Sequence, residues 1–154
     1  MSGSVSSAPG TIRALQTALT AEHAAVYGYG VAGAYLAGST KATATSDWVA
    51  HQVARDHLEA VLRSLGAQPA AAAVAYRLPA PVRNASEAVA LAVVLEERIA
   101  TAYLGLVALS NDSIRDYGAL QVQASALRAA AWRGGTVAFP GMPSAALARS
   151  RKQP

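Results

Sequence analysis

Apolar positions recur three and four residues apart over four stretches of the chain, the spacing that lines one face of an α-helix. The first stretch runs from about Thr11 to Leu36, with a stripe of Ile12, Leu15, Leu19, Glu22, Val26, Tyr29, Gly33 and Leu36. Gly38-Ser39-Thr40 is expected to end it. The second runs from about Ser46 to Leu65, striped by Trp48, His51, Arg55, Leu58, Leu62 and Leu65. Ser46 is its expected N-cap and Gly66 its stop. The third starts at Asn84 or Ser86 and ends near Leu109, with the stripe Val89, Ala92, Glu96, Ile99, Tyr103, Leu106. Asn84 followed by Glu87 resembles a capping box with Asn in place of Ser or Thr. The fourth runs from about Asp112 to Arg133, with Asp112 and Ser113 as cap candidates and Gly134-Gly135 as the stop. Its stripe reads Leu120, Ala124, Leu127, Ala131.

Short links join helices one and two and helices three and four, so each pair is expected to be antiparallel. Between helices two and three lies Ala67 to Arg83, with Pro69, Pro79 and Pro81. That stretch is too long for a hairpin turn and too proline-rich to end as a helix. Hairpin, long crossover, hairpin is the ferritin-like order of a four-helix bundle. The expected fold is therefore an all-α four-helix bundle over residues 11–135. Residues 1–10, rich in Ser, Gly and Pro, read as a disordered lead, and residues 136–154 as an irregular tail that Phe139 pins to the bundle.

Composition agrees with this. At 154 residues the chain is one domain long, and its 53% hydrophobic content, with an excess of Ala, suits closely packed helices. Cysteine is absent, which excludes thiolate metal sites and makes a cytoplasmic location the expectation. No window of 18 residues is apolar and free of charge, so no membrane span is expected. The net charge of +4 comes from basic residues scattered along the chain, so nucleic-acid binding is not expected.

Polar residues on the stripes carry the chemical interest. Glu22, His51, Arg55 and Glu96 take core-facing places on three helices, where a carboxylate needs a partner or a metal. Ferritin-like two-metal proteins use a Glu from each of two helices and a Glu-x-x-His pair from each of the other two. Glu22 and Glu96 match the single Glu positions and His51 the His of one pair. Trp48 stands where the Glu of that pair belongs, Asp47 is assigned to another face, and helix four offers only Gln121, Gln123 and Ser125. Two readings follow. In the first, the site is vestigial, no cofactor is held, and the Arg55 guanidinium sits between the carboxylates as part of a buried polar cluster. In the second, Glu22, His51 and Glu96 hold iron or manganese in a reduced site, and the protein is a ferritin-like oxidoreductase. The balance leans away from an enzyme.

The remaining motifs have plainer readings. Gly28 to Gly33 spells G-x-G-x-x-G, yet no strand precedes it, so it is not a nucleotide loop. Three glycines inside a helix imply that another helix or subunit approaches there, and a homodimer through this face is expected. Tyr29 and Tyr103 are expected as core rings with hydroxyls aimed at the polar centre, Trp48 and Trp132 as core ends. His23 and His57 fall off the stripes and are expected in solvent or at junctions, and Glu97 on the surface.

Four stretches together resemble a known family. They are Ala21-Glu22-His23-Ala24-Ala25-Val26-Tyr27-Gly28-Tyr29-Gly30, Leu95-Glu96-Glu97-Arg98 with Ala102-Tyr103, Tyr76-x-Leu78-Pro79, and Trp132-Arg133 with Phe139-Pro140-Gly141. With Arg55-Asp56, they resemble actinobacterial ferritin-like proteins of unknown function. The resemblance implies a ferritin-like four-helix fold, a bacterial source and no established activity.

Overall fold

The computed structural model describes residues 8–135, which form four α-helices: α1 (Ala8–Gly33), α2 (Gly38–Ser64), α3 (Ala85–Val107) and α4 (Asp112–Arg133). No strand occurs among the described residues. Phe139 and the rest of the expected tail lie outside them, as do residues 1–7.

The boundaries show how the ends are made. α2 starts at Gly38, well before Ser46. Gly38 has φ +56°, a conformation that side chains rarely adopt, and turns the chain out of the α1–α2 link. The hydroxyls of Thr40, Thr43 and Thr45 then donate to the carbonyls of Ala37, Ser39 and Lys41, so these residues satisfy themselves within a helix. The Gly-Ser-Thr sequence therefore opens α2, and Ser46 is an interior residue. Asn84 caps α3 by accepting from the Glu87 N–H at 2.9 Å, and the Glu87 carboxylate accepts from the Arg83 N–H at 2.7 Å. This is a capping box shifted by one residue on the return bond. α4 is capped by Asn111, which accepts from the Ile114 N–H, rather than by Asp112 or Ser113. Gly134, at φ +77°, ends it as expected.

Contacts fix the directions. Along α1 and α2, Trp48 reaches Val26 and His51 reaches Glu22, while Leu15 and Leu19 share a cluster with Leu58 and Leu62. Along α1 and α3, Tyr29 meets Glu96 and Glu22 meets Tyr103. Thus α1 is antiparallel to both α2 and α3, and those two are parallel. α4 is antiparallel to α3, pairing Arg133 with Glu97 at one end and Gly118 with Leu106 at the other. Two parallel helices force the long crossover, because the chain must return the length of the bundle. Residues 65–84 reach about 60 Å when extended, against about 35 Å for α3.

The crossover is fastened to α1. The Gln16 side chain donates to the Gln68 carbonyl and accepts from the Ala70 N–H. His23, expected in solvent, is buried and has Nε2 3.0 Å from the Ala70 carbonyl. Tyr27 and Tyr76 rings meet at 5.6 Å. His23 falls off the apolar stripe because it faces the crossover and not the other helices.

Two apolar clusters fill the interior. One holds Leu15, Leu19, Leu58, Leu62, Ile99 and Leu106; the other holds Ala32, Leu36, Ala44, Leu91 and Leu95. The face that α4 turns inward differs from the one expected. Gly118, Ser125 and Ala129 are buried, while Leu120 and Leu127 are 62% and 65% exposed. The reason is closeness. A Cβ on Gly118 would stand 2.7 Å from the Leu106 Cβ and 3.2 Å from the Val107 nitrogen, so α3 and α4 meet backbone to backbone through small residues.

The three glycines of the G-x-G-x-x-G run on α1 divide likewise. A Cβ on Gly28 would stand 2.7 Å from Leu95, whereas those on Gly30 and Gly33 would meet nothing within 4 Å. Gly118→Ala should therefore destabilise the fold by about 2 kcal/mol, overpacking outweighing its better helix propensity. Gly30→Ala should stabilise it by about 0.5–1 kcal/mol. Urea unfolding followed by far-UV circular dichroism reads both signs.

Candidate functional site: a buried ion layer between two apolar clusters

Between the clusters lies a polar layer to which all four helices contribute. Glu22 from α1, His51 from α2 and Glu96 from α3 are all essentially inaccessible to solvent. The stripe spacing puts each at the level where its helix faces the bundle axis. His51 is the centre. Its Nδ1 lies 2.7 Å from Glu22 Oε2 and its Nε2 lies 2.9 Å from Glu96 Oε1. A carboxylate only accepts hydrogen bonds, so both ring nitrogens act as donors and the ring is an imidazolium.

Each carboxylate also accepts from a tyrosine. The Tyr29 hydroxyl donates to Glu96 Oε1 at 2.6 Å, and the Tyr103 hydroxyl donates to Glu22 Oε1 at 2.7 Å. Both hydroxyls point at the polar centre, as expected from the stripes. Burial, and then the adjacent carboxylate charges, push both phenols well above their usual range, so they remain donors. Tyr29 also lies over His51, ring centroids 5.3 Å apart and nearly parallel.

α4 closes the fourth side with residues that sequence reasoning missed. Arg128 holds Nε 3.5 Å from Asp47 Oδ1 and Nη1 3.7 Å from Glu96 Oε2. The Trp132 indole donates to Asp47 Oδ2 at 2.8 Å and to the Tyr29 hydroxyl at 3.1 Å. Asp47, assigned by sequence to another face, is thus buried in the layer. Burial raises its pKa, against the opposing hydrogen bond from Trp132. Its signal was present: Asp47 is four residues before His51 and shares its face once α2 is known to begin at Gly38. Ser125 is also buried here, and its hydroxyl and Glu96 Oε2 have no hydrogen-bond partner. Trp48 is half-buried and donates to the Val26 carbonyl.

Arg55 does not take the place expected for it. Its guanidinium pairs with neighbouring Asp56 at 2.8 Å near the surface. It occupies one edge of the stripe, and the space between the carboxylates is already filled by the His51 ring. The cation that approaches Glu96 comes from α4. Glu97, as expected, is exposed, where it pairs with Arg133. His57 is exposed and its ring meets that of Tyr117 at a tilt, with centroids 4.2 Å apart.

Burial opposes the charge on His51 and is the largest single influence, but the hydrogen bonds and charges of Glu22 and Glu96 outweigh it. They push its pKa up to about 9, from an ordinary 6.5. Taking one charged partner from such a group leaves a buried charge uncompensated, at about 3–5 kcal/mol.

These features define an all-α four-helix bundle with a central histidine–carboxylate ion layer. The chain belongs to the family described as a domain of unknown function, DUF4439, whose model matches residues 14–144. The crystal structure of a conserved hypothetical protein from Mycobacterium tuberculosis is similar, with a TM-score of 0.79 and 30% sequence identity. That match covers 82% of this chain and 96% of the mycobacterial one. No curated protein matches the sequence. No helix among the described residues is long and apolar enough to cross a membrane.

The raised pKa gives stability a pH dependence of definite sign. A protonated state favoured by the fold contributes fully below the unfolded pKa of about 6.5 and is lost as pH rises through about 9. From pH 6.5 to 9.5 the protein should lose about 3 kcal/mol of unfolding free energy by this route. In His51→Gln that slope should disappear, a comparison made by chemical denaturation at stepped pH.

Proposed function

We propose that the chain is a ferritin-like bundle in which a protonated histidine and an arginine have replaced a two-metal centre, and that the resulting ion layer is structural. The parallel α2 and α3 and the long crossover support the ferritin-like reading. The observation that carries the proposal is the orientation of His51. Both of its nitrogens point at carboxylate oxygens, leaving no lone pair for a metal.

The surrounding donors fit two metals no better. Trp48 stands three residues before His51, where the paired Glu would be, and its indole is committed to a backbone carbonyl. On α4, Arg128 brings a positive charge toward Glu96 in place of a ligand. Among the described residues, no three His, Cys, Asp or Glu side chains are grouped so as to hold an ion. The layer instead joins specific polar partners across four helices, which penalises any slip of one helix along another. Its function is then to hold the register of a scaffold whose outer surface meets other molecules.

A second reading has one observation in its favour. Glu96 Oε2 and Ser125 Oγ are buried without hydrogen-bond partners, and a single metal ion held by Glu22, His51 and Glu96 would engage the first of them. One experiment separates the two. Purified protein incubated with Fe(II), Mn(II) or Zn(II) and then dialysed should retain less than about 0.1 ion per chain, because the ligand set is incomplete. One tightly held ion per chain, lost in Glu96→Ala, would contradict the structural reading and establish the second.

A further inference from the structure

α4 stops before its neighbours do. Its last residues meet Asp47 on α2, through Trp132, and Glu97 on α3, through Arg133. Residues 38–46 of α2 and 85–96 of α3 continue past that level, by about 13 Å and about 18 Å at the rise of an α-helix. Among the described residues, this end of the bundle therefore consists of three helices and the crossover. The side of α2 and α3 that faces α4 lower down continues here as a slot.

The rows that meet α4 run on into this slot. On α3, Val93 and Val89 stand one and two turns before Glu97, and both are half-buried. On α2, Thr43 and Thr40 stand one and two turns before Asp47 and are exposed. Their hydroxyls donate to the Ser39 and Ala37 carbonyls, so neither needs a polar partner in the slot. Neither row carries a charge. The open edge of the ion layer forms the floor. Trp132 is half-buried and the Asp47 side chain is 12% exposed, against 2% or less for Glu22, His51 and Glu96.

We infer that residues 136–144 of the same chain fill this slot, with the Phe139 ring against Val93 and Val89. Three observations identify that occupant. The first is continuity: Gly134, at φ +77°, ends α4 at the floor of the slot, so the chain leaves the helix there. The second is chemistry. No charged residue lies between Arg133 and Arg149, and Val137, Phe139 and Met142 supply apolar side chains for an uncharged slot. Pro140 and Pro143 oppose a helix, and nine extended residues reach about 30 Å, more than the slot is long. The third is extent. The family match runs to residue 144, nine residues past the described ones, and stops short of the basic run Arg149 to Lys152. So placed, the segment covers Trp132 and Asp47 and closes the edge of the ion layer. This packing is independent of whether the layer holds a metal.

The chain has a single phenylalanine, so its ring protons can be observed without ambiguity. In the full-length protein, with protonated Phe rings and Leu and Val methyls in a deuterated background, nuclear Overhauser contacts should join Phe139 to the methyls of Val89 or Val93. In the same full chain, Phe139→Ala should raise the unfolding equilibrium constant in urea about 30-fold or more, and Leu147→Ala less than about twofold. Absence of contacts from Phe139 to both valines overturns the inference, as do contacts to Leu120 or Leu127 in their place. Contacts seen only between differently labelled copies would put a second chain in the slot and overturn it too. So would a Phe139→Ala protein as stable as its parent, or one no less stable than Leu147→Ala.

Discussion

A charged imidazole held between two buried carboxylates organises this protein. Each member of the trio would be unfavourable in an apolar interior alone, by several kcal/mol. Together they are tolerated because every bond is short, each carboxylate accepts a further hydrogen bond from a tyrosine hydroxyl, and the outer oxygen of Glu96 faces the Arg128 guanidinium. The requirement propagates outward. Glu22, His51 and Glu96 must stand at one level, which sets the registers of α1, α2 and α3. Arg128, Asp47 and Trp132 then tie α4 to the same level. The apolar clusters above and below supply the bulk of the burial, but apolar contacts tolerate sliding, and directional polar contacts do not.

The arrangement explains why the long crossover is well anchored. A bundle whose second and third helices are parallel has no short connection to hold them together. The fastening falls to Gln16, His23 and Tyr27 on α1, which grip the crossover by backbone hydrogen bonds and ring contact. Those residues lie on the same helix as Glu22 and Tyr29. α1 therefore serves both the core and the crossover, which is why its polar residues are so frequently buried.

Much of the architecture was legible because helical periodicity is a strong signal over twenty residues. The four helices, the crossover, the Asn84 cap and the Gly134 stop all follow from spacing and terminal residues. The three residues of the buried trio followed from polar side chains on apolar stripes. The failures share a cause. A stripe says which residues share a face but not which way the face turns. On α4 the more hydrophobic face, with Leu120 and Leu127, points outward, because α3 approaches too closely for anything larger than Gly118, Ser125 and Ala129. That rotation brings Arg128 inward, which no reading of the Leu stripe would give. Arg55 was misplaced for the converse reason: it shares the edge of the His51 stripe, yet the ring already fills the space beyond. Asp47 was lost because Gly38-Ser39-Thr40 looked like a stop, and the threonines of α2 satisfy their own hydroxyls within the helix.

The proton inventory of His51 tests the central claim most directly. Nitrogen-15 NMR of histidine-labelled protein at pH 7 should show both ring nitrogens of His51 protonated, with titration centred at about 9. A neutral ring at pH 7, with one nitrogen bare and free to bind a metal, would contradict the account.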